Sequence, residues 1–287
     1  MNSGLEDLLR HHFRASWINK MIEHLRARPN QGQLQIHIDF PERQELGARA
    51  TVAQQEYHKR KILLLVLALT WTCVGEATQK SHCCCYIGDG SLDKSQGVIE
   101  EAIQDAVTWA MRKGGVAQVL YLSDRARREF SNASIMMWLS NHEKKFGLGA
   151  EWMFTEPDHG KSDCDGLGAG IKTMLYEWFG TLERMPTPHE CVQFLWDHTK
   201  GVPIRGKYAK YKEYRFQVLE GKKPTTHAAE TIKGITKSFH WKSIGKPNHV
   251  MARTLPCFCD LCKAKRFDAC KNKGYVGSWQ PIEVKRK

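Results

Sequence analysis

The sequence has no stretch long and apolar enough to cross a bilayer. Its longest apolar run, Ile62 to Thr70, is about half the length a spanning helix needs, and Lys59, Arg60 and Lys61 abut it. No membrane association is therefore expected. The first residues, MNSGLEDLLRHHFRASW, are amphipathic and carry acids, without the apolar core of a signal peptide. With no export signal, the ten cysteines are expected to be reduced, so clustered ones favour metal over disulfides. There is no internal repeat and no low-complexity tract. The glycine-rich stretch Gly166 to Gly170 lacks both the G-x-G-x-x-G register and the acid on a following strand that a dinucleotide loop requires. Acids are comparatively scarce: 31 Asp and Glu face 43 Lys and Arg, for a net charge of +12. That excess suits a polyanionic partner, of which nucleic acid is the commonest.

What is present reads as a mixed α/β chain. Residues 4–28 place Leu5, Leu8, Leu9, Phe13, Trp17, Ile18, Met21, Ile22 and Leu25 at helical spacing, and Pro29-Asn30-Gln31-Gly32 ends that helix. Leu34–Phe40 alternates, with Asp39 opposite the apolar row. Strands are expected at 48–57 and 61–72, and another ending near Ile87. A helix over 96–113 carries Val98, Ile99, Ala102, Ile103, Ala106, Val107 and Ala110 on one face. Then follow a strand from Val116 to Asp124, a helix over 133–146, a strand from Glu151 to Glu156, a Gly- and Asp-rich loop over 157–170 and a further helix over 171–179. Residues 186–250 are less regular, with a strand expected at Tyr214–Leu219.

Three aspartates stand out by position. Asp39 lies on the first strand, Asp124 at the C-terminal end of a strand that follows a crossover helix, and Asp165 at the mouth of the next helix. The C-terminal ends of strands are where open α/β sheets gather ligands. Carboxylates converging there repel one another unless a cation holds them, and Mg²⁺ or Mn²⁺ suits that role. Each aspartate also has an ordinary explanation, since Asp is a favoured turn and helix-capping residue. Asp158 and Asp163 compete with Asp165 for the third position.

Near the end, Cys257, Cys259, Cys262 and Cys270 have the spacing C-x-C-x2-C-x7-C. Four thiols this close point to a structural Zn²⁺, with His249 as an alternative ligand. Cys83, Cys84 and Cys85 are adjacent on a strand, alternate faces, and read as small buried residues. Between 200 and 246, Lys and Arg interleave with aromatics. Phe216 and Trp241 are expected in the core, and Lys207, Lys210, Lys212 and Lys222 as a group on DNA phosphates.

Four blocks carry a family resemblance. They are IDFPERQEL with QQEYHK (Gln54–Lys59), LSDRARREFSN (Leu122–Asn132), EWMFTEPDHGKSDCDGLGAGIK (Glu151–Lys172) and PCFCDLC (Pro256–Cys262) with GSW at Gly277–Trp279. In order and content they resemble the transposase-like proteins encoded by animal DNA transposons. The third block, with its HGK and CDG, is the most specific. The resemblance implies an RNase H-like core, a mixed five-stranded sheet flanked by helices, that uses Asp39, Asp124 and Asp165 with Mg²⁺ or Mn²⁺ to cut and join DNA in the nucleus. His159 and Lys161 in the third block are candidates for contact with the scissile phosphate, with solvated loop residues as the alternative reading. The expected organisation is an N-terminal helix (1–30), the core (31–182), a basic extension (183–250) and a Cys-rich zinc-binding tail (251–287). DNA is the expected partner, and a homo-oligomer is left open. Arg125 and Ser162 stand where the family pattern has glycine, and Arg125 beside Asp124 could pair with it and compete with a cation. A domesticated or degenerate copy, a non-catalytic DNA-binding protein and a simple metal-dependent nuclease therefore stay open as alternatives.

Overall fold

The computed structural model describes residues 3–41, 44–45, 61–156, 162–182, 184, 186–224 and 228–287. The strand expected at 48–57, the QQEYHK segment, Asp158, His159 and Lys161 lie outside the described residues. The chain starts with helix α1 (Ser3–Ala27), then strands β1 (Gln33–Asp39), β2 (Gln44–Glu45), β3 (Lys61–Thr72) and β4 (Gln79–Asp89). Helix α2 (Gln96–Arg112) leads to β5 (Gln118–Ser123), α3 (Ala133–Ser140), α4 (His142–Phe146), β6 (Gly149–Phe154) and α5 (Asp163–Phe179). The rest comprises α6 (Pro188–Thr199), β7 (Tyr214–Leu219), β8 (His240–Ser243), β9 (His249–Arg253), α7 (Asp260–Lys263), α8 (Lys273–Val276) and β10 (Gln280–Glu283).

The strands form one mixed sheet in the order β10-β9-β8-β6-β5-β1-β3-β4-β7, with β2 added beside β3. β3 lies between β1 and β4 and is antiparallel to both, whereas β5 runs parallel to β1 and β6 parallel to β5. The expectation of five strands is corrected to ten among the described residues. The extra ones fall largely in the stretch read as a basic extension and in the tail. β7 pairs parallel with β4 at one edge, and β8, β9 and β10 continue from β6 at the other. A four-residue strand such as β8 is too short to carry a readable alternation, and its register comes from β6.

Alternation along β3 feeds two cores. Leu63, Leu65, Leu67, Leu69 and Trp71 join a cluster with α1, α2 and α3. Ile62, Leu64, Val66 and Ala68 join another with α5 and α6. Each such side chain, fully buried, stabilises the fold by roughly 1.5–3 kcal/mol. The run that could not span a membrane is thus a central strand buried on both faces, and no helix among the described residues is long and apolar enough to cross one. The three adjacent cysteines divide the same way, Cys84 into the first cluster and Cys83 and Cys85 into the second, all without exposed surface. Phe216 and Trp241 are likewise fully buried. The helix expected over 133–146 is instead two, because Asn141 leaves helical geometry at φ −98° and ψ 2°.

α5 shows why this sequence folds as it does. Cys164, Leu167, Ile171, Leu175 and Phe179 recur at helical spacing and are buried. Gly168 lets the helix lie against the end of β1. A Cβ there would stand 2.8 Å from Pro41 Cγ and 3.5 Å from Val66 Cγ2.

Candidate functional site

The β1–β5 pairing brings the first two aspartates together. His37 pairs with Leu122 in parallel register, and two residues further on Asp39 comes level with Asp124. The third arrives on α5, whose first turn is fastened to β1 by a hydrogen bond from Cys164 Sγ to the His37 carbonyl, 3.3 Å. Burial, then the charges of Asp165 and Asp124, and a hydrogen bond shared with Asp165 push the Asp39 carboxyl up to about 7. Asp124 is raised by burial, with Asp165 adding to it, against the opposing Ala126 amide and Lys94. Asp39 is half-buried, while Asp124 and Asp165 are exposed, so the group opens to solvent.

The ordinary roles of these aspartates are present too. Asp124 Oδ1 accepts from the Ala126 amide at 3.1 Å, a turn. Asp165 Oδ2 accepts from the Ser162 amide at 2.8 Å, while the Ser162 hydroxyl accepts from the Cys164 amide at 3.2 Å. Ser162 and Asp165 form a capping box, which gives Ser162 a local purpose. One oxygen of each carboxylate is thereby held, and the side chain is oriented by it.

Asp163 is differently engaged. Burial acts to raise it, but hydrogen bonds from Lys210 and Tyr211 and the charge of Arg26 outweigh that and hold it below the usual carboxylate range. Its Oδ2 takes Lys210 Nζ at 2.5 Å and the Tyr211 hydroxyl at 2.6 Å. A carboxylate so fully paired is an anchor for α5, and Asp165 is the one beside Asp39.

Arg125 does not pair with Asp124. Its guanidinium donates to the Thr236 carbonyl and lies 4.1 Å from the Phe239 ring centroid. The cation that does bear on the aspartates is Lys94, whose charge lowers both Asp39 and Asp124. Its ammonium sits 5.0 Å over the Phe40 ring and 3.0 Å from Glu129. Sequence reasoning missed Lys94. It lies in an ordinary loop between β4 and α2, and only the fold carries it to the strand ends.

The four lysines assigned together are not gathered by the fold. Lys210 is paired with Asp163, and Lys207 lies 5.0 Å over the ring of Tyr208, which packs against Gly166 at the start of α5. The Lys212 amide bonds to Ser81 near the start of β4, whereas Lys222 lies beyond the other end of the parallel β4–β7 pair. Lys222 Nζ is 3.8 Å from both Glu101 and Glu220.

The cysteine cluster closes. The sulfurs of Cys257, Cys259, Cys262 and Cys270 all lie within 4.8 Å of one another, and Cys270 Sγ is 3.8 Å from both Cys257 and Cys259. Tetrahedral zinc thiolates, with bonds of about 2.3 Å, separate sulfurs by about 3.8 Å, so the site can hold a metal ion such as zinc. His249 is not part of it and bonds the Pro247 carbonyl instead. Arg253 ties the cluster to the sheet, donating to the Cys257 carbonyl at 3.0 Å and to His240 Nδ1 at 2.9 Å. His240 Nε2 in turn meets Glu151 at 2.6 Å. Burial first, then Arg253, pushes His240 down to about 4, so it is neutral and donates to Glu151. Among the described residues the thiols are the one such group within that distance, so the three aspartates form a looser set.

A family model, the domain of unknown function DUF8701, matches residues 19–254, and the chain belongs to that family. The matched span includes Asp39, Asp124 and Asp165 and stops before Cys257. Comparisons with curated proteins and with solved structures gave no match.

Proposed function

We propose that the chain is a transposase-like protein that cuts and joins DNA with divalent metal ions held by Asp39, Asp124 and Asp165, on an RNase H-like core. The observation that carries this reading is the meeting of the three carboxylates. They come from β1, from the end of β5 and from the first turn of α5, and the charges of Asp165 and Asp124 both bear on Asp39. The strand order supports the core assignment: β4-β3-β1-β5-β6, three antiparallel strands followed by two parallel ones, is the arrangement expected of an RNase H-like sheet. The donor set suits Mg²⁺, which takes hard oxygens from one or two carboxylates and fills its remaining positions with water and substrate phosphate. When bound, such ions activate an attacking water or 3′-hydroxyl and stabilise the leaving oxygen. The chain's own part is orientation. The Ala126 and Ser162 amides each hold one carboxylate oxygen, and Lys94 supplies positive charge near the aspartates.

The turn role of Asp124 and the capping role of Asp165 also favour a second reading, a non-catalytic DNA-binding protein built on this fold. Cleavage of plasmid DNA by the purified chain in Mg²⁺ or Mn²⁺, beside Asp124→Ala, separates the two. The expected result is a loss of roughly a hundredfold or more in Asp124→Ala. Equal activity in both proteins removes Asp124 from the mechanism. No activity in either, with DNA binding retained, favours the second reading. Joining of a precut end distinguishes a transposase from a simple nuclease.

A further inference from the structure

The loop that leaves Asp124 runs through Arg127 and Arg128 into α3, and beside it lies a cavity of about 400 Å³ that the carboxylate site does not use. Arg127, Arg128, Ser131 and Asn132 form one wall, and Ile232 and Ile235 the other. Both arginines are exposed. The first amides of α3 have no acceptor within the helix, and the positive end of its dipole points the same way. The Asn132 side chain caps only the Ile135 amide, at 3.0 Å. A second observation is independent of the helix. Ser131 is 2% exposed, and its hydroxyl has no hydrogen-bond partner among the described residues. A buried hydroxyl normally has one, so its absence marks a place for a ligand atom.

We propose that this pocket takes a nucleotide unit of a DNA strand. Its phosphate lies on Arg127, Arg128, the Ser131 hydroxyl and the first turn of α3, and its sugar and base lie against Ile232 and Ile235. The chemistry on the two walls differs, and a nucleotide has both parts. The inference rests on the DNA-processing reading above, since it puts a neighbouring phosphate beside the loop of Asp124.

Binding of a fluorescent DNA duplex to the full chain, without added magnesium and across a potassium chloride series, tests it. Each phosphate contact contributes close to one to the slope of log affinity against log salt. The Arg127→Gln/Arg128→Gln double variant is expected to lower that slope by about one and to weaken binding roughly tenfold. Ser131→Ala gives a second, sharper readout. If the hydroxyl is merely an unsatisfied buried group, its removal leaves DNA binding unchanged and holds or raises the melting temperature. If it meets phosphate, affinity falls about threefold while the melting temperature does not drop. A wild-type slope in the double variant, or unchanged affinity in Ser131→Ala, overturns the proposal. So does Arg127-dependent binding of free dAMP with no change in the duplex slope, which would make this a site for a free nucleotide. The two readings fail separately: absence of metal-dependent cutting with the slope change intact removes the enzyme and leaves the pocket.

Discussion

Asp39 has a charge state that the fold, not the residue, decides. Its carboxyl is raised from an ordinary 3.8 to about 7 by burial and by Asp165 and Asp124. Between those values the folded chain binds more protons at this position than the unfolded chain. Its contribution to stability therefore falls as pH rises through the window and levels off above about 7. Asp39→Asn is expected to melt roughly 2–4 °C above the wild type at pH 8 and level with it near pH 4, both without divalent ions. Millimolar Mg²⁺ should raise the wild type and leave the variant unmoved, as scanning calorimetry would show. A variant that melts with the wild type at pH 8 would mean that the carboxylates do not crowd. Ser162 caps α5, and Arg125 turns to Phe239 and the Thr236 carbonyl, so neither obstructs the aspartates.

At the scale of elements, glycines decide how closely helices reach the sheet and its loops. Gly97, in the first turn of α2, has the Lys222 carbonyl 2.2 Å from where a Cβ would be, with Pro224 N at 3.1 Å. Backbone on that side cannot swing away. Gly166, in the first turn of α5, would meet the Tyr208 hydroxyl at 1.6 Å, but that atom is the far end of a flexible side chain. Gly97→Ala is accordingly expected to lose roughly 2 kcal/mol or more, and Gly166→Ala well under half of that. Urea unfolding of the two variants checks the order, and the reverse order would show that the loop after β7 yields more easily than Tyr208. α2 was legible in the sequence from its periodicity, whereas α5 was expected only from Ile171 and starts at Asp163, because Gly166, Gly168 and Gly170 read as loop. The break at Asn141 was not legible, because the apolar residues on either side keep a continuous pattern across it.

For the whole molecule, the cysteine cluster fastens the last segments to one edge of the sheet. Cys257 and Cys259 precede α7, Cys262 lies within it, and Cys270 precedes α8, which leads to β10 beside β9. The purified chain is expected to carry one zinc ion, measurable by elemental analysis. Cys262→Ser, or chelation, should lower the melting temperature by roughly 5 °C or more. Amide exchange should quicken first in Gln280–Glu283. A metal-free chain whose melting ignores chelators would leave the cluster as four packed thiols.

Elements with strong local pattern could be read along the chain alone: the buried strand of Ile62 to Thr70, the amphipathic α2, the β7 strand at Tyr214–Leu219 and the closely spaced thiols. The sequence also marked Asp39, Asp124 and Asp165 as strand-end and helix-mouth acids, because those positions follow from element order. The remainder came from contacts made in the folded chain. Which acid of α5 stands beside Asp39 depends on Lys210 and Tyr211, far along the chain, drawing Asp163 away. The place of Lys94 depends on the path from β4 into α2. The division of the lysines, and the union of the basic stretch with the sheet, depend on the pairing of β7 with β4 and of β8 with β6. Local spacing records what a residue's near neighbours impose, whereas charge environment and edge pairing arise from contacts between distant segments.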